Sequence, residues 1–112
     1  MTPGALSLGI TGVMKLASLA EAHGLDVELH GGSLAHRHIM STLRNANYYE
    51  LGLVHPKISN TKPPIYCERR WLDELDSVDE NGCVEVPEGP GLGVELDWDY
   101  IEAHKTGEGV YD

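Results

Sequence analysis

Leu25-Asp26-Val27-Glu28-Leu29-His30-Gly31-Gly32 is the stretch on which the reading of the fold turns. Leu25, Val27 and Leu29 alternate with Asp26 and Glu28, the period of two expected of a half-buried strand. The strand ends at His30, and Gly31-Gly32 then turns the chain into a helix that Ser33 can cap. A histidine at the carboxyl end of a strand, before a glycine turn that opens a helix, is where α/β enzymes place a proton-transfer group. Twenty positions later Asn47-Tyr48-Tyr49 forms a second strand-like run that ends in Glu50, and Leu51-Gly52 leads into a loop. Two titratable side chains at the ends of successive strands can face one pocket, so His30 and Glu50 are the candidate catalytic residues.

Upstream, Val13, Leu16, Ala17 and Ala20, widened by Leu19, follow the spacing of an amphipathic helix over residues 11–23. Thr11 can cap its start, and Gly24 can end it in the left-handed conformation. A second helix is expected from Ser33 to Arg44. Helix, strand, helix and strand in succession with short connections imply parallel strands joined by crossover helices, an α/β layer that fills residues 1–53. Residues 54–112 read as a tail. Pro56, Pro63 and Pro64 interrupt any regular pattern, and Asp79-Glu80-Asn81-Gly82 signals a turn into a short strand, Cys83 to Val86. Residues 87–93, rich in proline and glycine, make a further turn. Asp97 then caps a final helix from Trp98 to His104, ended by Gly107.

A chain of 112 residues supports one domain with a modest core. Its 18 acidic residues against 8 basic ones give a formal charge of −10, which repels a phosphate backbone, so no nucleic-acid partner is expected. No apolar run approaches the roughly 20 residues of a membrane helix. Met1 to Gly9 lacks a basic leader, and a cytoplasmic protein is expected. Cys67 and Cys83, 16 positions apart, read as thiols rather than a disulfide.

His36 and His38 lie about 200° apart around a helix and so do not form a helical metal pair. A zinc module built from His30, His36 and a cysteine stays open as an alternative. His23 and His104 fall in last turns of helices, where a cation suits the dipole, and read as structural. Asp73, Glu74, Asp76, Asp79 and Glu80 read as a solvated loop face. Gly89-Pro90-Gly91-Leu92-Gly93 lacks the spacing of a dinucleotide or phosphate loop.

Taken in order, Gly9-Ile10-Thr11-Gly12, Leu19-Ala20-Glu21-Ala22-His23-Gly24, the strands ending in His30 and Glu50, and Val86-Pro87-Glu88-Gly89-Pro90-Gly91-Leu92-Gly93-Val94 resemble the carboxyl-terminal part of the enolase superfamily. The subgroup is the mandelate racemase and muconate lactonizing enzyme type, particularly its acid-sugar dehydratases, and the likeness runs from about Leu8 to Trp98. It implies a carboxyl-terminal fragment of a TIM-like (β/α) barrel with an extended tail. It also implies Mg²⁺-assisted removal of the α-proton from a sugar acid or other carboxylate substrate. His30 matches the acid/base histidine of the seventh barrel strand. Glu50 matches the glutamate of the eighth, which hydrogen-bonds the developing enolate. Dehydration, racemisation and cycloisomerisation share that first step and stay open.

The family's Mg²⁺ ligands belong to earlier strands that this sequence does not contain, and Thr2-Pro3-Gly4-Ala5 stands where an orienting aspartate is expected. A whole barrel needs about 250 residues. The expectation is therefore a partial gene product, inactive alone, from a lyase or isomerase family. The alternative is a non-catalytic subunit that completes a barrel with a complementary fragment, or that self-associates through unpaired edges.

Overall fold

The computed structural model describes residues 5–51, Cys67, Trp71 and residues 77–110. The expected loop through Gly52, Leu53, Pro56, Pro63 and Pro64, the acids Asp73, Glu74 and Asp76, and Thr2-Pro3-Gly4 lie outside the described residues. Three helices appear in order: α1 (Ala5–Ala22), α2 (Leu34–Thr42) and α3 (Trp98–His104).

Helix α1 begins before the expected start. Gly9, at φ 64 and ψ 172, breaks it into two pieces. Thr11 lies past that break, inside the helix, and so is not its cap. The other end is as expected. Gly24 adopts φ 66, its N–H donates to Glu21 O at 2.9 Å and Leu25 N–H donates to Ala20 O at 2.9 Å. These paired bonds satisfy carbonyls that the last turn leaves open.

Helix α2 opens on Ser33, whose hydroxyl accepts from His36 N–H. It stops before the expected Arg44 because Ser41 and Thr42 turn their hydroxyls back to His38 O and Ile39 O. Those bonds compete with continuation of the helix, and Leu43 is already extended. Helix α3 is capped by Asp97, whose Oδ1 accepts from Tyr100 N–H at 2.9 Å. It ends at Lys105 rather than at Gly107.

Val13 and Ala17 of α1, Val27 and Leu29 of the following segment, and Ile39 of α2 form the core. Each fully buried aliphatic side chain contributes about 1.5–3 kcal/mol. Leu19, expected in the apolar stripe, is 57% exposed instead, and Leu25 is 60% exposed.

The expected strands are corrected by the structure. Residues 25–29 and 46–50 take up no regular secondary structure, and no ladder forms among the described residues. The only bridges there are isolated, Cys67 with Leu96 and Val78 with Val84. The second of these reduces the expected strand Cys83 to Val86 to a single pairing. Only Val27 N–H reaches across residues 25–29 and 45–50, to Asn45 O at 2.7 Å. Side chains take the places of the other backbone partners. Glu28 accepts from Asn47 N–H and Tyr48 N–H, each at 3.1 Å, and the Asn45 amide donates to Leu25 O and Ala17 O. The contacts advance together, 25 and 27 with 45, 28 with 47 and 48, 31 with 50, so the two segments run in the same direction.

In the tail, Asp79 organises the expected turn by accepting from Cys83 N–H at 2.7 Å and Asn81 N–H at 2.9 Å. No disulfide joins Cys67 and Cys83. Two side chains of α2 fasten the tail: Arg37 Nη1 donates to Glu85 O at 2.8 Å and His38 Nε2 donates to Leu92 O at 3.0 Å.

Gly93 is the tightest point of the tail. Its φ is 71, and a Cβ there would stand 2.8 Å from Pro87 C and O. Gly93→Ala is expected to destabilise the chain by about 1–3 kcal/mol, read as a lower thermal midpoint. An unchanged midpoint would mean that the tail does not pack as described.

Candidate functional site

The turn after residues 25–29 places His30 at the surface and carries Gly31 at φ 78, a conformation that side-chain-bearing residues rarely adopt. That turn lets Gly31 N–H and the His30 ring converge on one carboxylate. Glu50 Oε2 accepts from Gly31 N–H at 2.9 Å and lies 3.0 Å from His30 Nδ1. The two residues singled out by sequence are thus in direct contact, across 20 positions of chain.

They meet at an exposed edge rather than in a pocket. The His30 side chain is 74% exposed and that of Glu50 is 42% exposed. Clefts among the described residues lie off the pair, including one of about 400 Å³ beside Ser77, Asp79 and Cys83. A second, of about 350 Å³, runs between Arg37, Tyr48, Tyr49 and Val84, and a third, of about 360 Å³, lies between Leu16, Leu19, His23 and Val27.

The Gly31 N–H holds the Glu50 carboxyl below its ordinary value of 4.5, the His30 ring adds to the effect, and partial burial opposes it. Glu50 is therefore a carboxylate at neutral pH. A carboxylate only accepts, so His30 Nδ1 carries the hydrogen of their bond. The imidazole Nε2 is left as the nitrogen that can take up or release a proton.

Because the folded value is lowered, these bonds favour the folded turn above pH 4.5 and are lost as pH falls through the lower folded value. A ¹³C titration of the Glu50 carboxyl is expected to show a midpoint under 4.5, with the Gly31 amide resonance moving in step. A midpoint at or above 4.5 would contradict the described contact.

Behind the pair, His36 is 3% exposed and its Nδ1 sits 2.6 Å from Gly31 O. Tyr49 Oη accepts from Ser33 N–H at 2.9 Å and donates to Ser33 O at 3.3 Å. The Arg37 guanidinium lies over the Tyr49 ring, 5.6 Å from its centroid. Sequence reasoning missed these supports, along with the clamp made by Glu28. Gly31 O lies five positions from His36, but the other carbonyl and amide partners lie 16 or more positions away, and no local pattern marks any of them.

His104, read as structural, donates to Tyr100 O and stacks on the Tyr100 ring at 4.0 Å. No group of three His, Cys, Asp or Glu side chains among the described residues converges to hold a metal ion. The alternative zinc site from His30, His36 and a cysteine therefore has no counterpart there, and the described residues do not fit Mg²⁺ either. No described helix is long and apolar enough to cross a membrane.

His30 and Glu50, the pair that the resemblance singles out, are thus brought together by two segments that run in the same direction. Residues 5–100 match the family described as enolase C-terminal domain-like, and the chain belongs to that family, as a carboxyl-terminal segment of the enolase superfamily. It is 36% identical over 88 residues to an L-rhamnonate dehydratase of Saccharopolyspora erythraea, which covers 79% of this chain and 22% of that protein. It is 29% identical over 118 residues to a D-xylonate dehydratase of Haloferax volcanii, covering 93% of this chain and 24% of that protein. The chain thus spans less than a quarter of the length of these relatives. No solved structure matches it.

Proposed function

We propose that this chain supplies the proton-transfer end of an acid-sugar dehydratase site, with residues 1–53 as the last two β/α units of a barrel and residues 54–112 as its tail. The observation that carries the reading is the 3.0 Å contact between His30 and Glu50 in a chain of this family. The substrate class is a sugar acid or a related carboxylate, as the names of the relatives indicate for those proteins.

In this role His30 Nε2 takes the α-proton of the carboxylate substrate, or gives a proton to the departing hydroxyl, which leaves as water. Glu50 stabilises the imidazolium through Nδ1–H. The resemblance also assigns Glu50 a hydrogen bond to the enolate. An ionised Glu50 has no hydrogen to donate, and its lowered pKa opposes protonation. In this geometry its part is to hold and charge-balance His30. The described residues do not fit a Mg²⁺ site, so the chemistry assigned to this chain stops at proton transfer, and the isolated polypeptide is expected to dehydrate no sugar acid.

The experiment is a chimera in which residues 5–100 replace the matching segment of the S. erythraea L-rhamnonate dehydratase. A folded chimera that dehydrates L-rhamnonate supports the reading. A folded but inert one contradicts it.

A second reading is favoured by Ile10, Leu19 and Leu25, which expose 45%, 57% and 60% of their surface, Leu19 and Leu25 lining one cleft. Such a surface fits a chain that completes a barrel with a separate fragment or self-associates. Sedimentation of the isolated chain as a sharp monomer with cooperative melting would count against it.

A further inference from the structure

We propose that His36 is a positioning residue for the His30–Glu50 pair: its ring fixes the Gly31 peptide units so that Gly31 N–H stays aimed at Glu50. The inference rests on the reading that this pair performs the proton transfer.

Its basis is a closed circuit of bonds. Glu50 Oε2 accepts from Gly31 N–H at 2.9 Å, and Gly31 O lies 2.6 Å from His36 Nδ1. His36 N–H donates to Ser33 Oγ at 3.1 Å, and Ser33 N–H donates to Tyr49 Oη at 2.9 Å. Tyr49 is covalently joined to Glu50, which closes the ring.

A carbonyl oxygen only accepts, so His36 Nδ1 must carry a hydrogen. His36 stands at the third position of α2, where a helix commonly uses a glutamate or glutamine to reach back to its own cap. Here the imidazole reaches past the cap to the turn that holds the pair. Gly31, at φ 78 and without a side chain, has little intrinsic preference between turn geometries. Two bonds, one to the peptide before it and one to the peptide after it, remove that freedom. At 3% exposure the His36 bond is shielded from competing water, whereas the pair it supports is open to solvent. The ionisable groups that face Glu50 are His30 from the turn and His36 from α2.

The test uses His36→Leu, which removes the donor, His36→Asn, whose Nδ2 falls near the place of Nδ1, and His36→Gln, whose amide extends past it. In the isolated chain, the Leu and Gln variants are expected to shift the Gly31 amide resonance towards its position in Glu50→Ala and to raise the Glu50 midpoint towards 4.5. The Asn variant is expected to keep the Gly31 resonance near its native position. In the chimera, His36→Leu is expected to lower kcat about 10–100-fold with KM within about twofold, and His36→Asn to recover most of that loss.

If the Leu variant fails to fold, the contrast between Asn and Gln carries the test. Native Gly31 and Glu50 signals in the Leu or Gln variant would overturn the inference, as would equal kcat in Asn and Leu. Loss of the functional reading itself looks different. His30→Gln would then leave turnover intact while the coupling of His36 to Gly31 and Glu50 in the isolated chain still held.

Discussion

His30→Gln in the chimera is expected to lower kcat by a factor of about 10²–10⁴, with KM within a few-fold of the parent. Glutamine keeps a polar side chain of similar reach and can still donate to Glu50, so the turn and its carboxylate remain in place. It cannot accept and release a proton near neutral pH. The side chain is 74% exposed, which makes a collapse of the fold a poor explanation for lost turnover. A loss of this size corresponds to about 3–5 kcal/mol of transition-state stabilisation. Turnover within a few-fold of the parent would remove His30 from the chemistry.

Arg37→Met is expected to lower the stability of the isolated chain by about 2–4 kcal/mol, measured by urea or thermal unfolding. Arg37 is 2% exposed, and methionine replaces its stem but not its guanidinium. Loss of the guanidinium strands the Glu85 carbonyl that it contacts at 2.8 Å, and it removes the cation from the Tyr49 face. A hydrogen bond from a charged donor contributes about 1.5–3 kcal/mol, and the ring contact adds about 0.5–1 kcal/mol more. Domains of this size hold only about 5–15 kcal/mol in total, so a substantial part of their stability is at stake. Arg37 joins the tail to Tyr49, and Tyr49 leads to Ser33 and Glu50. The same variant is therefore expected to broaden the Gly31 amide resonance before global unfolding. Unchanged stability would show that the tail is not anchored through Glu85.

What was legible in the sequence was local. Ser33 and Asp97 cap their helices because a cap is defined by a side chain and an amide three positions on, and Gly24 ends α1 by an equally short-range pattern. The contact between His30 and Glu50 was legible for a different reason. Two runs that proceed in the same direction bring equivalent ends together whether or not a ladder joins them.

The ladder itself was not legible. Alternation of Leu25, Val27 and Leu29 predicts which side is buried, and Val27 and Leu29 are indeed buried, but it does not supply a backbone partner. Glu28 and Asn45 fill that place with side chains. Leu19 fitted the helical stripe, yet it is exposed because burial depends on what packs against the helix. The roles of His36, Arg37 and His38 lay beyond sequence patterns for a similar reason. Three consecutive residues of α2 serve three separate backbone carbonyls, at Gly31, Glu85 and Leu92, and the last two are 48 and 54 positions away.

If the chain carries a preassembled proton-transfer pair, the ring nitrogens of His30 report it most directly. In ¹⁵N spectra of the isolated chain at neutral pH, neutral His30 is predicted to bear its hydrogen on Nδ1. Glu50→Gln is predicted to shift that population towards the Nε2–H tautomer. A His30 ring that favours Nε2–H in the native chain, or whose tautomer balance ignores Glu50→Gln, would contradict the pairing on which the proposed function stands.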